Sequence, residues 1–208
     1  MNTQPPIDTR LEIPPISVFS IIVLSFIVAI IFNKDNIKPS EPIGQYALIE
    51  VEPVKSREEL AIQLFIKDSN KKLSEGQIKE YADYIVKYSN EFNIDPFTLS
   101  GLVAVESKFD RYAVSHANAV GLTQVVPKWH KEKLPIMVKR FGHVDLFNPE
   151  HNIVMGVMIY AEYKDIYKDR SRSLLRYNGS LGHENPVYAV AVIASAKKAK
   201  SYLKTLTS

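Results

Sequence analysis

The sequence predicts a mostly α-helical domain over residues 74–208, carried behind an N-terminal transmembrane helix. Three observations carry this reading. From Ser74 onward apolar residues recur at three- and four-residue intervals, strand-like alternation is sparse, and helix-start signals punctuate the chain. Near the start, "ISVFSIIVLSFIVAIIF", Ile16 to Phe32, is apolar or serine throughout and lies in an uncharged window from Ile13 to Asn33. About 20 such residues suffice to cross a bilayer as a helix.

Residues 1–12 are then an N-terminal tail and 13–33 the membrane anchor. A cleaved signal peptide is the alternative, but Asp8, Arg10 and Glu12 do not make a basic leader and no A-x-A-like site follows the apolar run. Arg10 on one side faces Lys34 and Lys38 on the other, so the positive-inside rule leaves the orientation open.

Residues 34–73 are read as a tether with a short helix. Pro39, Pro42, Gly44 and Pro53 sit among alternating charges, a composition that extends rather than packs. Ser56 with Glu59 three residues on then reads as a capping box, followed by Leu60, Ile62, Leu64, Phe65 and Ile66. Within 74–208, Ser74 and Gln77 open an amphipathic helix bearing Ile78, Tyr81, Ala82, Ile85 and Tyr88. Asp95 before Pro96 is an N-cap with proline at the first helical position. The helix it opens, "FTLSGLVAVES", has Leu99, Leu102, Val103 and Val105 around most of its circumference and is expected to be buried. "PEHNIVMGVMIYAEYKDIYK", "SRSLLRYN" and "NPVYAVAVIASAKKAKSYLKTL" read as three further helices.

Composition narrows the function. The chain has 208 residues, 26 basic against 23 acidic, for a net charge of +3. Without a basic arm, nucleic acid is not the expected partner. There are no cysteines, which removes disulfides and thiolate chemistry. The five histidines form no H-E-x-x-H pair, so no metal and no cofactor is expected.

One carboxylate stands out. Glu106 lies near the end of a helix whose other residues look buried, which disfavours its charged form and raises its pKa, the condition for a proton donor at neutral pH. A solvated helix edge is the bland reading of the same position. Behind it, "AVSHANAVGLTQVVP" strings together Ala113, Ser115, Ala119, Gly121, Leu122 and Gln124. With Glu106–Ser107 this resembles the lysozyme-like lytic transglycosylase family, whose pattern runs E-S, A-x-S-x-x-x-A-x-G-L-x-Q, then proline. The resemblance covers about residues 78–205. "NPEHNIVMG" is similar to the family's N-P-x-x-N-I-x-x-G, "RYNGS" to its A-Y-N-A-G loop, and Tyr188 to the tyrosine soon after that loop.

The resemblance implies a lysozyme-like fold of the goose-type and transglycosylase kind, with Glu106 as sole catalytic acid and base. It implies that Ser115 and Gln124 line a cleft and contact an N-acetylated sugar, that Tyr177 sits beside the scissile bond, that Asn178 holds its loop, and that Tyr188 belongs to the substrate site. The substrate implied is peptidoglycan, cut at the MurNAc–GlcNAc bond to leave 1,6-anhydro ends. A wall substrate would place residues 34–208 outside and the N-terminus inside, near envelope-spanning or virion proteins. Four departures stand out: Thr123 where methionine is usual, Val125–Val126 for Ile-Met before Pro127, Gly179–Ser180 for Ala-Gly, and Arg176 for alanine.

Two rivals remain open at this point. Asp110, four residues past Glu106, would be one helical turn away if the helix persisted, and as a second carboxylate it would make the enzyme a hydrolytic muramidase. A capping or loop role is the preferred reading for it. A membrane-anchored binding or assembly module that has lost catalysis is the other rival. Trp129, the only tryptophan, fits either packing or a cleft wall.

Overall fold

The computed structural model describes residues 56–182 and 186–206, which fall within one compact unit spanning Pro53–Ser208. Seven α-helices are described: α1 Arg57–Ser69, α2 Glu75–Glu91, α3 Pro96–Ser107, α4 Leu134–Phe141, α5 Pro149–Tyr167, α6 Arg170–Tyr177 and α7 Val187–Thr205. Two single 3-10 turns, Pro127–Trp129 and Lys131–Lys133, precede α4. Among the described residues the only extended pairings are two isolated antiparallel bridges, Val114 to Val120 and Val120 to Val125. The mostly α expectation therefore holds. No helix among the described residues is long and apolar enough to cross a membrane, and the expected anchor at Ile16–Phe32 lies outside them.

Helix starts follow the sequence signals. Ser74 and Gln77 form a reciprocal capping box, Asp95 accepts the N–H of Thr98, and Asn148 accepts those of Glu150 and His151. Each such side chain satisfies a backbone donor that the first turn leaves without a partner.

Helix α3 runs through the centre, with Phe97 to Val103 all buried. It packs most extensively on α7 and also touches α1 and α2. Close approach to α7 requires Gly101: a Cβ there would lie 2.7 Å from both the Val192 carbonyl oxygen and the Ala196 amide nitrogen. Leu99, Leu102, Ile62, Phe65, Tyr81, Ile85 and Ile153 complete the core. Burying a large aliphatic or aromatic side chain of this kind is worth about 2 kcal/mol.

Two features differ from the sequence reading. Helix α1, grouped with the tether, buries Ala61, Ile62, Phe65 and Ile66 in the same core as α3 and packs against α7. Helix α4 went unread because eight residues with only Met137 buried give too short a periodic signal. Among the helical tyrosines, Tyr81, Tyr88 and Tyr160 are buried and Tyr84, Tyr163 and Tyr167 partly so.

Candidate active site

Glu106 occupies the last turn of α3. The helix stops one residue later because Lys108 and Phe109 both take left-handed conformations, with φ of 51° and 61°. Phe109 drops into the core against Phe65, and the chain turns away. Asp110 is thereby taken off the helix. It is exposed, and its Oδ1 accepts the N–H of Tyr112 in a tight turn.

The Glu106 carboxylate is partly buried, and desolvation pushes its pKa up to about 7 despite the opposing hydrogen bond from Tyr188. Tyr188 Oη donates to Glu106 Oε1 at 2.5 Å from the first turn of α7. Burial first, and the charge of Glu106 second, hold both the Tyr188 and Tyr177 phenols above the ordinary tyrosine value, so both stay protonated donors. Among the described residues no charged side chain contributes to the Glu106 shift.

Tyr177 is the last residue of α6 and donates to the Thr123 carbonyl oxygen at 2.8 Å. Thr123 belongs to the loop 113–125, which folds back on the end of α3. Ser107 Oγ donates to Leu122 O at 2.8 Å, so the residue after the glutamate ties the loop to the helix. Inside the loop, Ser115 Oγ accepts the N–H groups of Ala117 and Ala119, and Gln124 Nε2 donates to Ala113 O at 3.1 Å and Gly121 O at 3.0 Å. Gln124 itself sits at φ 49°. Both residues therefore shape the loop with atoms that the resemblance would assign to sugar contacts.

Asn152, buried in α5, pins this loop from behind. Its Nδ2 donates to Val120 O and Leu146 O, each at 2.9 Å, and its Oδ1 accepts the Thr123 N–H at 2.8 Å. Gly121 lies over it at φ +76°, where a Cβ would meet Asn152 Nδ2 at 2.2 Å, so glycine is required on both counts. Thr123 is fully buried, with its hydroxyl 2.7 Å from Asn152 Oδ1 and 3.1 Å from Asn152 O. This departure from the methionine pattern faces the scaffold, and any effect on a cleft is indirect.

The structure thus brings Glu106, Tyr177 and Tyr188 together and sets Gln124 and Ser115 in the adjoining loop. Asn178 is exposed after Tyr177, and the turn there is closed by backbone bonds from Asn178 to Leu174, Gly179 to Arg176 and Ser180 to Leu175. Sequence reasoning missed Ser107, Thr123 and Asn152. The signal for Asn152 was present as a lone amide in the apolar run "NIVMG", a polar group that needs partners when buried. Among the described residues no group of three or more histidines or carboxylates could hold a metal.

An all-α domain with one raised carboxylate at the end of its central helix, braced by two tyrosines and a folded-back loop, defines a class of proton-donating site. The family model for the transglycosylase SLT domain matches residues 83–202, and the chain belongs to that family. Its helical architecture fits a lysozyme-like fold. Similar proteins include the membrane-bound lytic murein transglycosylase C of Actinobacillus pleuropneumoniae serotype 5b (strain L20), 35% identical over 96 residues, 45% of this chain and 26% of that protein. The protein of the same name from Glaesserella parasuis serovar 5 (strain SH0165) is 36% identical over 97 residues, again 45% and 26%. That from Haemophilus ducreyi (strain 35000HP / ATCC 700724) is 33% identical over 98 residues, 46% and 27%. This chain therefore spans about a quarter of the length of these curated relatives.

Proposed function

We propose that this chain is a peptidoglycan lytic transglycosylase that cleaves the MurNAc–GlcNAc β-1,4 bond and leaves 1,6-anhydro-MurNAc ends. The observation that carries the reading is Glu106: a single carboxylate with its pKa near 7 and with Asp110 turned away on an exposed loop. A hydrolytic glycosidase ordinarily works with two carboxylates. One suffices when the nucleophile is a hydroxyl of the substrate itself.

The protonated Glu106 gives its proton to the glycosidic oxygen as the bond from C1 of the muramic ring breaks. The ring's C6 hydroxyl then attacks C1, and the carboxylate of Glu106 takes the hydroxyl's proton. The C1–O6 bond replaces the C1–O4 bond, the proton on Glu106 is restored, and no water is consumed. With Tyr188 donating to Oε1, the exchangeable proton resides on Oε2. Tyr177 holds the Thr123 carbonyl and with it the Gln124 backbone, and Ser115 and Gln124 form the loop against which the N-acetylated sugar lies. Asn178 stands at the exposed turn that follows.

The domain division proposed is 1–12 tail, 13–33 anchor, 34–73 tether ending in α1, which packs into the core of the domain, and 74–208 the remainder of the catalytic domain. With an anchor at Ile16–Phe32, a wall substrate would place the catalytic unit facing the wall and the N-terminus inside. The apolar stretch supports the anchor, as do relatives named membrane-bound. A virion or secretion setting is a finer form of the same reading and rests on the sequence resemblance alone.

Mass spectrometry of muropeptides released from purified peptidoglycan by the full chain, with Glu106→Gln alongside, tests the proposal. Anhydromuramic ends that vanish in the variant support it. Reducing ends would mean hydrolysis, and no release by a folded chain would leave a binding module.

A further inference from the structure

Beside Tyr177 the surface opens into a second pocket of about 370 Å³, lined by Trp129, His130, Tyr163, Arg176, Tyr177 and Gly179. This is within the size range of small-ligand sites. Tyr177 lines this pocket, and its phenol also feels the charge of Glu106, so the pocket adjoins the reactive site. Its wall is chemically distinctive. Trp129 is 69% exposed, an unusual display for the largest apolar side chain. Arg176 lies with its guanidinium carbon 5.5 Å from the centre of the Tyr163 ring, an arrangement that fixes the cation's position.

Among the side chains that line the pocket Arg176 carries the positive charge, and Lys128 lies beside it, over the Trp129 ring at 5.0 Å. Burial holds His130 below the usual histidine value, so it is neutral at neutral pH. The nearby acids Glu132 and Glu162 both pair with Lys133. Among the described residues no carboxylate lies within ion-pair distance of Arg176. A built aromatic pocket with one uncommitted guanidinium calls for an extended ligand carrying a carboxylate.

We propose that this pocket is a subsite for the carboxylate-bearing stem peptide of the glycan, with Arg176 as the residue that selects for it. The inference rests on the peptidoglycan reading and deepens it. Peptidoglycan carries its peptides on the lactyl group of the muramic ring, whose own carboxyl is then an amide, so the acid groups entering the pocket are those of the peptide. A further sugar ring stacked on Trp129 is the rival occupant. A neutral ring makes no use of the Arg176 charge.

The test uses the full chain carrying Glu106→Gln, so that no turnover intervenes, and two tetrasaccharide probes of alternating N-acetylglucosamine and N-acetylmuramic acid. One bears tetrapeptide stems with free carboxylates, the other the same stems amidated, and both are titrated calorimetrically. The free-acid probe is expected to bind about tenfold more tightly, the scale of one charge-assisted contact. Arg176→Ala should erase that difference, and Arg176→Lys should restore part of it. Arg176→Gln, which removes the charge but keeps a polar side chain, serves if the alanine variant fails to fold. Equal affinity for the two probes, or a loss in Arg176→Ala that is the same for both, overturns the subsite while leaving the peptidoglycan reading standing. Binding of neither probe overturns both.

Discussion

Tyr188 Oη donates to Glu106 Oε1 at 2.5 Å, joining the last turn of α3 to the first turn of α7. Two helices that pack through Gly101 thus meet again at the reactive carboxylate. The packing of the core and the position of the acid are one structural fact, with testable consequences.

The first concerns pH. Glu106 rises from an ordinary value of 4.5 to about 7 on folding, so the folded state holds a proton that the unfolded state has lost. Its contribution to stability is fully present below pH 4.5 and is lost as pH rises to 7, by about 3 kcal/mol over that window. Glu106→Gln removes the ionisation. The variant is expected to be inactive yet more stable than the parent at pH 8, with the gain shrinking towards zero at pH 4. Thermal melts of both proteins across that range check it, and a gain independent of pH would refute the buried-acid account.

Activity should follow the same group from the other side. If protonated Glu106 starts the reaction, kcat/KM falls as pH rises through about 7. Tyr188→Phe removes a hydrogen bond that lowers this pKa, so the alkaline limb should move to higher pH. The turnover rate should drop about tenfold, because the same hydroxyl steadies the carboxylate formed after proton transfer. A pH–rate profile unchanged in position, with only a lower plateau, would mean that Tyr188 acts on substrate instead.

Every described helix but α4, and the acid, were legible in the sequence because they follow local rules. Ser74, Asp95 and Asn148 cap where side-chain chemistry says they should, and Glu106 stands out as the one charge ending a buried apolar helix. What sequence could not supply were relationships between distant segments. Nothing near Thr123 announces that its carbonyl receives the Tyr177 hydroxyl, 54 positions away, or that Ser107 reaches across to Leu122. Asp110 takes the turn role that was the preferred reading, its Oδ1 accepting the Tyr112 N–H. The cause was not legible: two successive left-handed residues, Lys108 and Phe109, break the helix before it. Neither is a residue that advertises that conformation.

Asn152 should prove the most sensitive polar residue outside the reactive group. It is 1% exposed and holds the loop 113–125 through Val120, Leu146 and Thr123. Asn152→Leu strands the Thr123 N–H and two carbonyls, at about 1–3 kcal/mol for each group left without a partner. A melting temperature lower by many degrees is expected, with activity lost before the fold is. Asn152→Asp keeps the acceptor but loses both donations, and should fall between the parent and the leucine variant. Retention of full activity in Asn152→Leu would show that the loop needs no such pin.

Gly101→Ala tests the link between packing and chemistry most directly. The added methyl would sit 2.7 Å from two backbone atoms of α7, and backbone cannot rotate aside as a side chain can. The helices must separate by several tenths of an ångström, which typically destabilises by about 1–3 kcal/mol. Separation also lengthens the Tyr188–Glu106 contact, since each partner rides on one of the two helices. The expected result is a folded protein of lower melting temperature whose alkaline limb has moved to higher pH, as in Tyr188→Phe. A variant destabilised to the same degree but with the parent pH profile would show that the carboxylate is held independently of the α3–α7 packing.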